Sequence, residues 1–443
     1  MMAHRGSTAR GMDIVLEGAV MTKKREVWIA GFDCAEEKHR VVLLDAKGKV
    51  EKELDITNRR DLVQEGLAKL LLVLPEGTKL VVVVESRRSH GRIVSEVVDQ
   101  LGCEVWVVNS VALNHYRPVE GQPHKTDPWD AFLAARMAYD EKLGCRVAAE
   151  RTQEERVLSR LTRLHGQVTK TRTQHVARLR ANLLELAPEV LHSSWKGPKP
   201  KSKAIVYLLE RWPAFEGMER ARLGTIENIL HRCRYGKKAT DIARSLRDMA
   251  QRIEIAGAER AVVAMEINHL IEQITACDRL LHDLQAQIRE RVEDHEIGLK
   301  LLEMPGIGVI TAGVIIGELL PVARLADEGQ CATYAGLTPL SRQTGKGKNR
   351  RRIAKGVNKR VLRALYTSAV AAIGGSAMDR AYFEKKVRDY SGHPKPTVAA
   401  FIALARKRHQ VIYRLMTTNE RYDKEKLISS HLARLDQARP AAA

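Results

Sequence analysis

The stretch Lys79-Leu80-Val81-Val82-Val83-Val84-Glu85 decides the fold of the N-terminal part of the chain. Valine is β-branched, and an apolar run of this length without polar alternation is typical of a strand that is buried on both faces. The sequence therefore predicts a strand that is buried on both faces. This predicted strand ends in a carboxylate, Glu85.

The segments on either side of this strand have the patterns of an α/β domain. Strand patterns cover residues 26–33, 40–45, 50–54 and 103–108, and helical spacing covers 58–72 and 91–101. Residues 46–49, between two of these strands, have the composition of a hairpin turn. A hairpin followed by alternating helices and strands predicts a mixed sheet with helices packed on it. We place this α/β domain at residues 25–148.

Carboxylates stand at the ends of the predicted strands. Asp33 ends the first strand and Glu85 ends the valine strand, while Asp127 and Asp130 follow the third in Lys125-Thr126-Asp127-Pro128-Trp129-Asp130-Ala131. Asp127 and Asp130 are three residues apart at a predicted helix start, so they share one helix face. Four carboxylates at one rim repel each other unless cations neutralise them, and two divalent ions about 4 Å apart can hold a scissile phosphate. The alternative for Asp127 and Asp130 is that first-turn acids stabilise the helix dipole.

Composition limits the classes of partner. The 443 residues carry a net charge of +20, with a pI near 9.7, which favours a polyanion such as nucleic acid or an anionic membrane surface. We expect no membrane span, because no run of about 18 apolar residues occurs. With no visible signal peptide, we expect a cytoplasmic protein. The six cysteines include no CxxC pair, so we expect reduced thiols and no zinc site.

The composition changes at Glu150, where a helical arm is predicted to begin. Apolar residues at three- and four-residue steps predict two long amphipathic helices, near 157–186 and 262–292. We expect them to pair as an antiparallel coiled-coil arm over 150–295, with a helical insert near 203–253 at its tip. We interpret the arm as an extension that lets the protein reach a distant partner, or as an element for dimerisation. Residues 1–24 are interpreted as a disordered tail, or as an upstream start that adds nothing to the fold. Residues 421–443 are interpreted as a tail, with disorder predicted beyond Arg439.

A third domain is predicted at 298–420, and it opens with Pro305-Gly306-Ile307-Gly308 between two helical patterns. This pattern is similar to a helix-hairpin-helix. Glycines allow a tight turn, and N–H groups at the next helix start can meet a DNA phosphate, so Gly306 and Gly308 are candidate contacts. A plain helix–helix turn is the alternative.

A basic loop follows at residues 334–352. It carries six cations between 342 and 352: Arg342, Lys346, Lys348, Arg350, Arg351 and Arg352. Such a loop can clamp a phosphate backbone and present one of its hydroxyls to it. A solvated basic loop is the alternative.

Two motif sets in this order resemble one family, the DEDD-type insertion-sequence transposases. The first set is Asp33, Glu85 and the stretch 125–131. The second is Pro305-Gly306-Ile307-Gly308 with Thr311-Ala312, then Tyr334-Ala335-Gly336-Leu337-Thr338-Pro339, Gly345 and Lys355-Gly356-Val357-Asn358. The resemblance covers most of residues 25–375.

The resemblance implies a fold, a chemistry and partners. The N-terminal domain would have the ribonuclease H-like fold of RuvC, the Holliday-junction resolvase, with Mg²⁺, two ions, on Asp33, Glu85, Asp127 and Asp130. The chain would cleave, exchange and rejoin DNA strands as a dimer or tetramer, in a bacterial or archaeal nucleoid. Some members use a bridge RNA that pairs with donor and target DNA. Lys125 would join the basic loop in binding nucleic acid.

The nucleophile that the resemblance implies is a hydroxyl just before Gly345, where the family has serine and this chain has Thr344. Its β-branch crowds the attack, and Ser341 is the alternative nucleophile. Two other readings stay open. One is a RuvC-like junction nuclease that uses metal-activated water, and the other is a catalytically inactive nucleic-acid-binding protein.

Overall fold

A computed structural model describes residues 27–87, 89–116, 127–140, 145–147, 151–255, 257–325, 327–338, 340–342, 350–352 and 356–423. The chain divides into two compact units, residues 1–150 and 151–443.

The first unit contains a mixed six-stranded sheet in the order β3-β2-β1-β4-β5-β6. The strands are β1 (Val27–Cys34), β2 (Lys38–Leu44), β3 (Val50–Thr57), β4 (Lys79–Val84), β5 (Glu104–Val108) and β6 (Cys145–Val147). The helices are α1 (Arg60–Leu71), α2 (Gly91–Gln100), α3 (Ser110–Tyr116) and α4 (Asp127–Tyr139). β1, β4 and β5 pair in parallel, and the other neighbours are antiparallel. The predicted α/β class is confirmed.

The valine strand lies between two apolar cores, as its composition predicts. Val82 and Val84 face a core that contains residues of α1 and α2, whereas Val81 and Val83 face a core that contains residues of α4. All four valines are almost completely buried. Since side chains alternate along a strand, helices on both faces of the sheet explain why the run contains no polar residue.

The second unit is mostly helical. Its helices are α5 (Gln153–Leu186), α6 (Lys203–Arg211), α7 (Leu223–Arg232), α8 (Ala239–Gln251), α9 (Gly257–Glu293), α10 (Glu296–Leu302), α11 (Val309–Leu319), α12 (Glu328–Tyr334), α13 (Lys359–Gly375), α14 (Ala377–Asp389) and α15 (Pro396–Thr417). Two short strands, β7 (Leu340–Arg342) and β8 (Arg350–Arg352), pair with each other. α5 begins earlier than the apolar spacing predicts because Thr152 and Glu155 form a capping box.

The two long helices α5 and α9 run antiparallel, as predicted. Arg172 donates to Asp278 at 3.0 Å, and Asn182, further along α5, donates at 3.0 Å to Glu266, which lies earlier in α9. At one end of the pair, α6–α8 share an apolar core with both helices. At the other end, Leu158 of α5 shares a core with the C-terminal helices.

A buried carboxylate, Glu318 of α11, joins three elements at this second core. Only 2% of its side chain is exposed. Ser159 of α5 donates to it at 2.8 Å, Arg163 at 3.0 Å, and Asn358 at 2.9 Å. Arg360 in the first turn of α13 forms a second ion pair with it. Glu318 therefore ties α11 to the arm and to α13.

The charges around Glu318 outweigh its burial. Burial on its own raises the pKa of this carboxyl, but the guanidinium groups of Arg163 and Arg360 and the hydrogen bond from Ser159 bring the pKa below the ordinary value. The folded protein therefore keeps Glu318 ionised at neutral pH.

In the part of the chain that the structure describes, no single helix is both long and apolar enough to cross a membrane. The bent pair α13–α14 meets those criteria of length and composition only when the two helices are taken together.

We predict that Glu318→Gln lowers the free energy of unfolding at neutral pH by about 3–5 kcal/mol, because it leaves two guanidinium groups without their buried counter-charge. The wild-type contribution is complete above the ordinary glutamate pKa of 4.5 and is lost as the pH falls through the lower pKa of the folded state. The variant should therefore lose less stability between neutral and acid pH. Urea unfolding at several pH values measures both effects.

The matched control is Glu290→Gln, which removes a carboxylate that is 70% exposed and ion-paired on α9. This change should alter the free energy of unfolding by no more than about 0.5 kcal/mol. Equal effects of the two substitutions would refute the role of Glu318.

Candidate active site

The carboxyl ends of the parallel strands β1, β4 and β5 lie at one edge of the sheet. Phe32 of β1 is in register with Val84 of β4, so Asp33, the next residue of β1, and Glu85, which directly follows β4, lie side by side at this edge. The structure thus brings these two predicted acids together. Asp33 is partly buried, and Glu85 is exposed.

The thiol of Cys34 lies close to both carboxylates. Burial, together with the charges of Asp33 and Glu85, raises the pKa of this thiol to about 12. Without a bound cation, the thiol therefore stays protonated at neutral pH. The charged donors at this edge are carboxylate oxygens, which suit a hard divalent cation such as Mg²⁺.

Gly31 allows helix α4 to lie directly on β1. A Cβ atom at this position would stand 2.7 Å from the backbone nitrogen of Ala135 and would overlap the carbonyl oxygen of Ala131. No side chain fits there without moving the helix. Because Gly31 and Asp33 are two residues apart on a strand, both point to the face that α4 covers.

The direction of α4 places its first turn above the carboxyl end of β1. Near the other end of α4, Arg136 donates at 3.4 Å to the carbonyl of Gly48, in the turn after β2. Leu44 at the end of β2 pairs with Ile29 near the start of β1, so α4 runs antiparallel to β1. Asp130, in the first turn, is 3% exposed and therefore buried at this edge of the sheet.

Asp127 is the first residue of α4, and its side chain lies outside the described residues. Among the side chains that the structure does describe, no group of three or more His, Cys, Asp or Glu residues is arranged to hold a metal ion. The acids brought to this edge thus do not form a complete metal site by themselves.

Two polar residues that no sequence motif marks also lie at this edge. Ser110, the first residue of α3, donates to Glu85 at 3.1 Å and so contributes a hydroxyl from the segment after β5. His39 is completely buried, pairs across the sheet with Cys34, and shares a hydrogen bond of 3.1 Å with Asn58. Burial lowers the pKa of His39, which keeps this imidazole neutral. A serine two residues after a predicted strand is a sequence signal for Ser110.

The segment predicted as a basic loop contains two short antiparallel strands, which corrects that prediction. Ser341 on β7 is opposite Arg351 on β8, and Arg342 is opposite Arg350. The sequence does not predict a strand here, because three consecutive arginines and the glycines before them have no alternation of apolar and polar residues. Lys125, Thr344, Lys346 and Lys348 lie outside the described residues, as do the side chains on β7 and β8, including that of Arg352.

The two ends of this hairpin segment are fastened together. Asn358 donates its backbone N–H to the carbonyl of Tyr334 at 2.7 Å, and its side-chain amide donates to the Tyr334 hydroxyl at 3.0 Å. The same amide donates to Glu318. Residues 335–357 therefore leave and re-enter the helical core at one point, which the buried carboxylate fixes.

The two glycines of the predicted DNA contact have different surroundings. Gly306 has a φ of +79°, and a Cβ there would stand 2.6 Å from the backbone of Ser368 and of Ala372 on α13. Packing against α13 is thus a sufficient reason for glycine at this position. Gly308 is exposed at the N-terminus of α11, with no atom within 4 Å of a Cβ.

Two family models match the chain. A model of DEDD transposases of the IS110 type, described as "Transposase", matches residues 30–188, and one described as "Transposase IS116/IS110/IS902 family" matches residues 299–384. The first range contains the four predicted acids, and the second contains the glycine turn and the hairpin segment.

Proteins of insertion elements are similar to this chain over most of its length. An uncharacterized 43.6 kDa protein of insertion element IS110 from Streptomyces coelicolor is 24% identical over 396 residues, which are 89% of this chain and 95% of that protein. An uncharacterized 44.8 kDa protein of insertion element IS116 from Streptomyces clavuligerus is 23% identical, over 89% of this chain and 96% of that protein.

A third relative, an uncharacterized 42 kDa protein of insertion element IS900 from Mycobacterium paratuberculosis, is 26% identical over 50% of this chain and 55% of that protein. The two matched models cover more than half of the chain, and both describe transposases. The chain belongs to the DEDD-type IS116/IS110/IS902 family of insertion-sequence transposases.

Proposed function

We propose that this transposase cleaves and rejoins DNA strands at a site where Asp33, Glu85, Asp127 and Asp130 hold Mg²⁺, with two ions at the complete site. The observation that carries the proposal is the meeting of three elements at one sheet edge. β1 supplies Asp33, β4 leads into Glu85, and the first turn of α4 supplies a buried Asp130.

The donor set supports a divalent cation. Oxygen ligands from carboxylates suit Mg²⁺, and when bound the ions would neutralise the acids and stabilise charge on a phosphate during displacement. The chain's own residues arrange the donors. Ser110 orients Glu85 through its hydrogen bond, and Gly31 lets α4 approach closely enough to present its first turn.

We propose Thr344 as the nucleophile. Its hydroxyl oxygen would form a bond to phosphorus while the bond to a deoxyribose oxygen breaks, giving up its proton to solvent as the leaving oxygen takes one up. A second strand's hydroxyl reverses this exchange and releases the threonine. The clamp between Tyr334, Asn358 and Glu318 supports this role, because it fixes the base of the segment that carries the hydroxyl.

The remaining parts of the proposal concern partners. Lys125, Gly308 and the cations between Arg342 and Arg352 would contact phosphate backbones. We further propose that a bridge RNA guides the choice of DNA and that the chain acts as a dimer or tetramer. The resemblance to the family supports these two parts.

We predict that Asp130→Asn lowers Mg²⁺-dependent strand cleavage by about 10²–10³-fold and leaves DNA affinity equal or slightly higher, because a ligand is lost and a negative charge is removed. The measurement is a cleavage assay on labelled element-end DNA, run beside a binding titration. Asp61→Asn is the matched control, since Asp61 is 63% exposed on α1 and its partner is Arg59. If Asp130→Asn cleaved as fast as this control, the acidic site would not be catalytic.

We predict that a covalent DNA–protein adduct forms in Mg²⁺, survives denaturation, disappears in Thr344→Ala and persists in Thr344→Ser. The reaction contains purified protein, labelled element-end DNA and RNA transcribed from the element's flank. A denaturing gel separates the species. Ser341→Ala should keep the adduct.

Other outcomes of the same gel would contradict the proposal in distinct ways. Free cleaved DNA that is insensitive to Thr344→Ala indicates a nuclease that uses metal-activated water. An adduct that survives Thr344→Ala and is lost in Ser341→Ala makes Ser341 the nucleophile. Tight binding with no product indicates a catalytically inactive nucleic-acid-binding protein.

A further inference from the structure

The helical insert at the tip of the arm lies outside both matched family regions. It occupies residues 189–255, between α5 and α9, and contains α6, α7 and α8. Its helices pack on a core of their own with the ends of the two arm helices. The insert is therefore a folded structure that has no role in the proposed strand cleavage.

Two segments of the insert are basic and free of acids. Residues 192–209 and residues 228–240 contain no Asp or Glu. Seven exposed Lys and Arg residues lie in these segments. Six of them flank the start of α6 and the end of α7, and we call these six the tip patch: Lys201, Lys203, Arg232, Arg234, Lys237 and Lys238.

The fold brings the two segments together, although about 30 residues separate them. Ile205 and Leu208 of α6 share an apolar core with Leu230 of α7, and Cys233 and Tyr235, which follow α7, pack against the same core. Burial raises the pKa of the Cys233 thiol, and the nearby Lys203 ammonium opposes that rise. The first turn of α6 therefore lies beside the segment that follows α7.

The cations of the tip patch differ from other cations of the insert in their partners. Arg220, Arg244 and Arg252 each lie within 4 Å of a carboxylate, on Glu219, Asp241 and Glu189. None of the six cations of the tip patch forms an ion pair with a carboxylate in the described ranges. Six positive charges on adjacent segments repel one another, which raises the electrostatic energy of the folded insert. A bound polyanion would neutralise these charges and lower that energy.

We propose that the tip patch binds the phosphodiester backbone of a nucleic acid, as a contact separate from the catalytic domains. Tyr207 supports a nucleic acid over other polyanions. It lies one helical turn after Lys203 on α6, is 43% exposed, and can stack on an unpaired base. This proposal does not depend on the acids or on Thr344, so it can fail or succeed independently of the proposed cleavage.

The test compares two triple variants of the full chain. Lys201→Gln/Arg232→Gln/Lys237→Gln neutralises half of the tip patch, and Arg220→Gln/Arg244→Gln/Arg252→Gln neutralises three cations of the same insert that have acidic partners. Both variants lose three positive charges. All six positions are exposed, and the two variants should melt at the temperature of the wild type.

Affinity is measured against salt concentration for a labelled random-sequence duplex DNA and for a labelled RNA stem-loop. The tip-patch variant should show a shallower plot of log affinity against log salt, by about 0.9 for each lost contact with duplex DNA and about 0.7 with a single strand. The control variant should keep the wild-type slope. The nucleic acid whose slope changes is the one that the patch binds.

Equal slopes for both variants and the wild type on both nucleic acids would overturn the proposal. Lysine acetylation of the wild-type protein, read by mass spectrometry, gives a test without substitutions. Lys201, Lys203, Lys237 and Lys238 should be protected when the nucleic acid is added. A parallel labelling reaction contains phosphatidylserine vesicles instead of nucleic acid. Lysine labelling that nucleic acid leaves unchanged, or that only the vesicles reduce, would also refute a nucleic-acid contact.

Discussion

The parallel pairing of β1 with β4 is the constraint on which the acidic edge depends. The register sets Phe32 beside Val84, and the residues that follow them are the acids Asp33 and Glu85. The valines on both faces of β4 pack in apolar cores, which hold this strand between its neighbours in the sheet. The absence of a side chain at Gly31 then decides how closely α4 can bring Asp130 to the same edge. Packing of apolar residues thus fixes the positions of charged ones.

The second unit depends on a buried charge in an otherwise apolar helix. Glu318 collects hydrogen bonds from α5, from the N-cap of α13 and from two arginines, and Asn358 extends this network to Tyr334. A strongly basic segment repels itself and has few apolar residues to anchor it. The two ends of this segment are held at the helical core by this carboxylate instead, which fixes the base of the segment.

The sequence predicts elements well where one local pattern dominates. The valine run, the helices on either side and the two long amphipathic helices all appear in the structure close to their predicted bounds. Contacts between distant residues were not predictable, because nothing local marks them: Ser159 and Glu318 are 159 positions apart, and His39 and Asn58 are 19 apart. A signal did exist for Glu318, the one charged residue in the helix Val309–Leu319. No sequence signal predicted the pairing of β7 with β8, because arginine-rich strands have no alternation of apolar and polar residues.

The most direct test of the central claim is to locate a divalent ion on the protein itself. Fe²⁺ in place of Mg²⁺, with ascorbate and peroxide, generates hydroxyl radicals that cut the backbone near the bound ion, and mass spectrometry maps the cuts. We expect cuts close to Asp33, Glu85 and the first turn of α4, suppressed by excess Mg²⁺ and weakened by Asp130→Asn. Cuts confined to other parts of the chain, or cuts that Mg²⁺ does not suppress, would contradict the assignment of a metal site to this edge of the sheet.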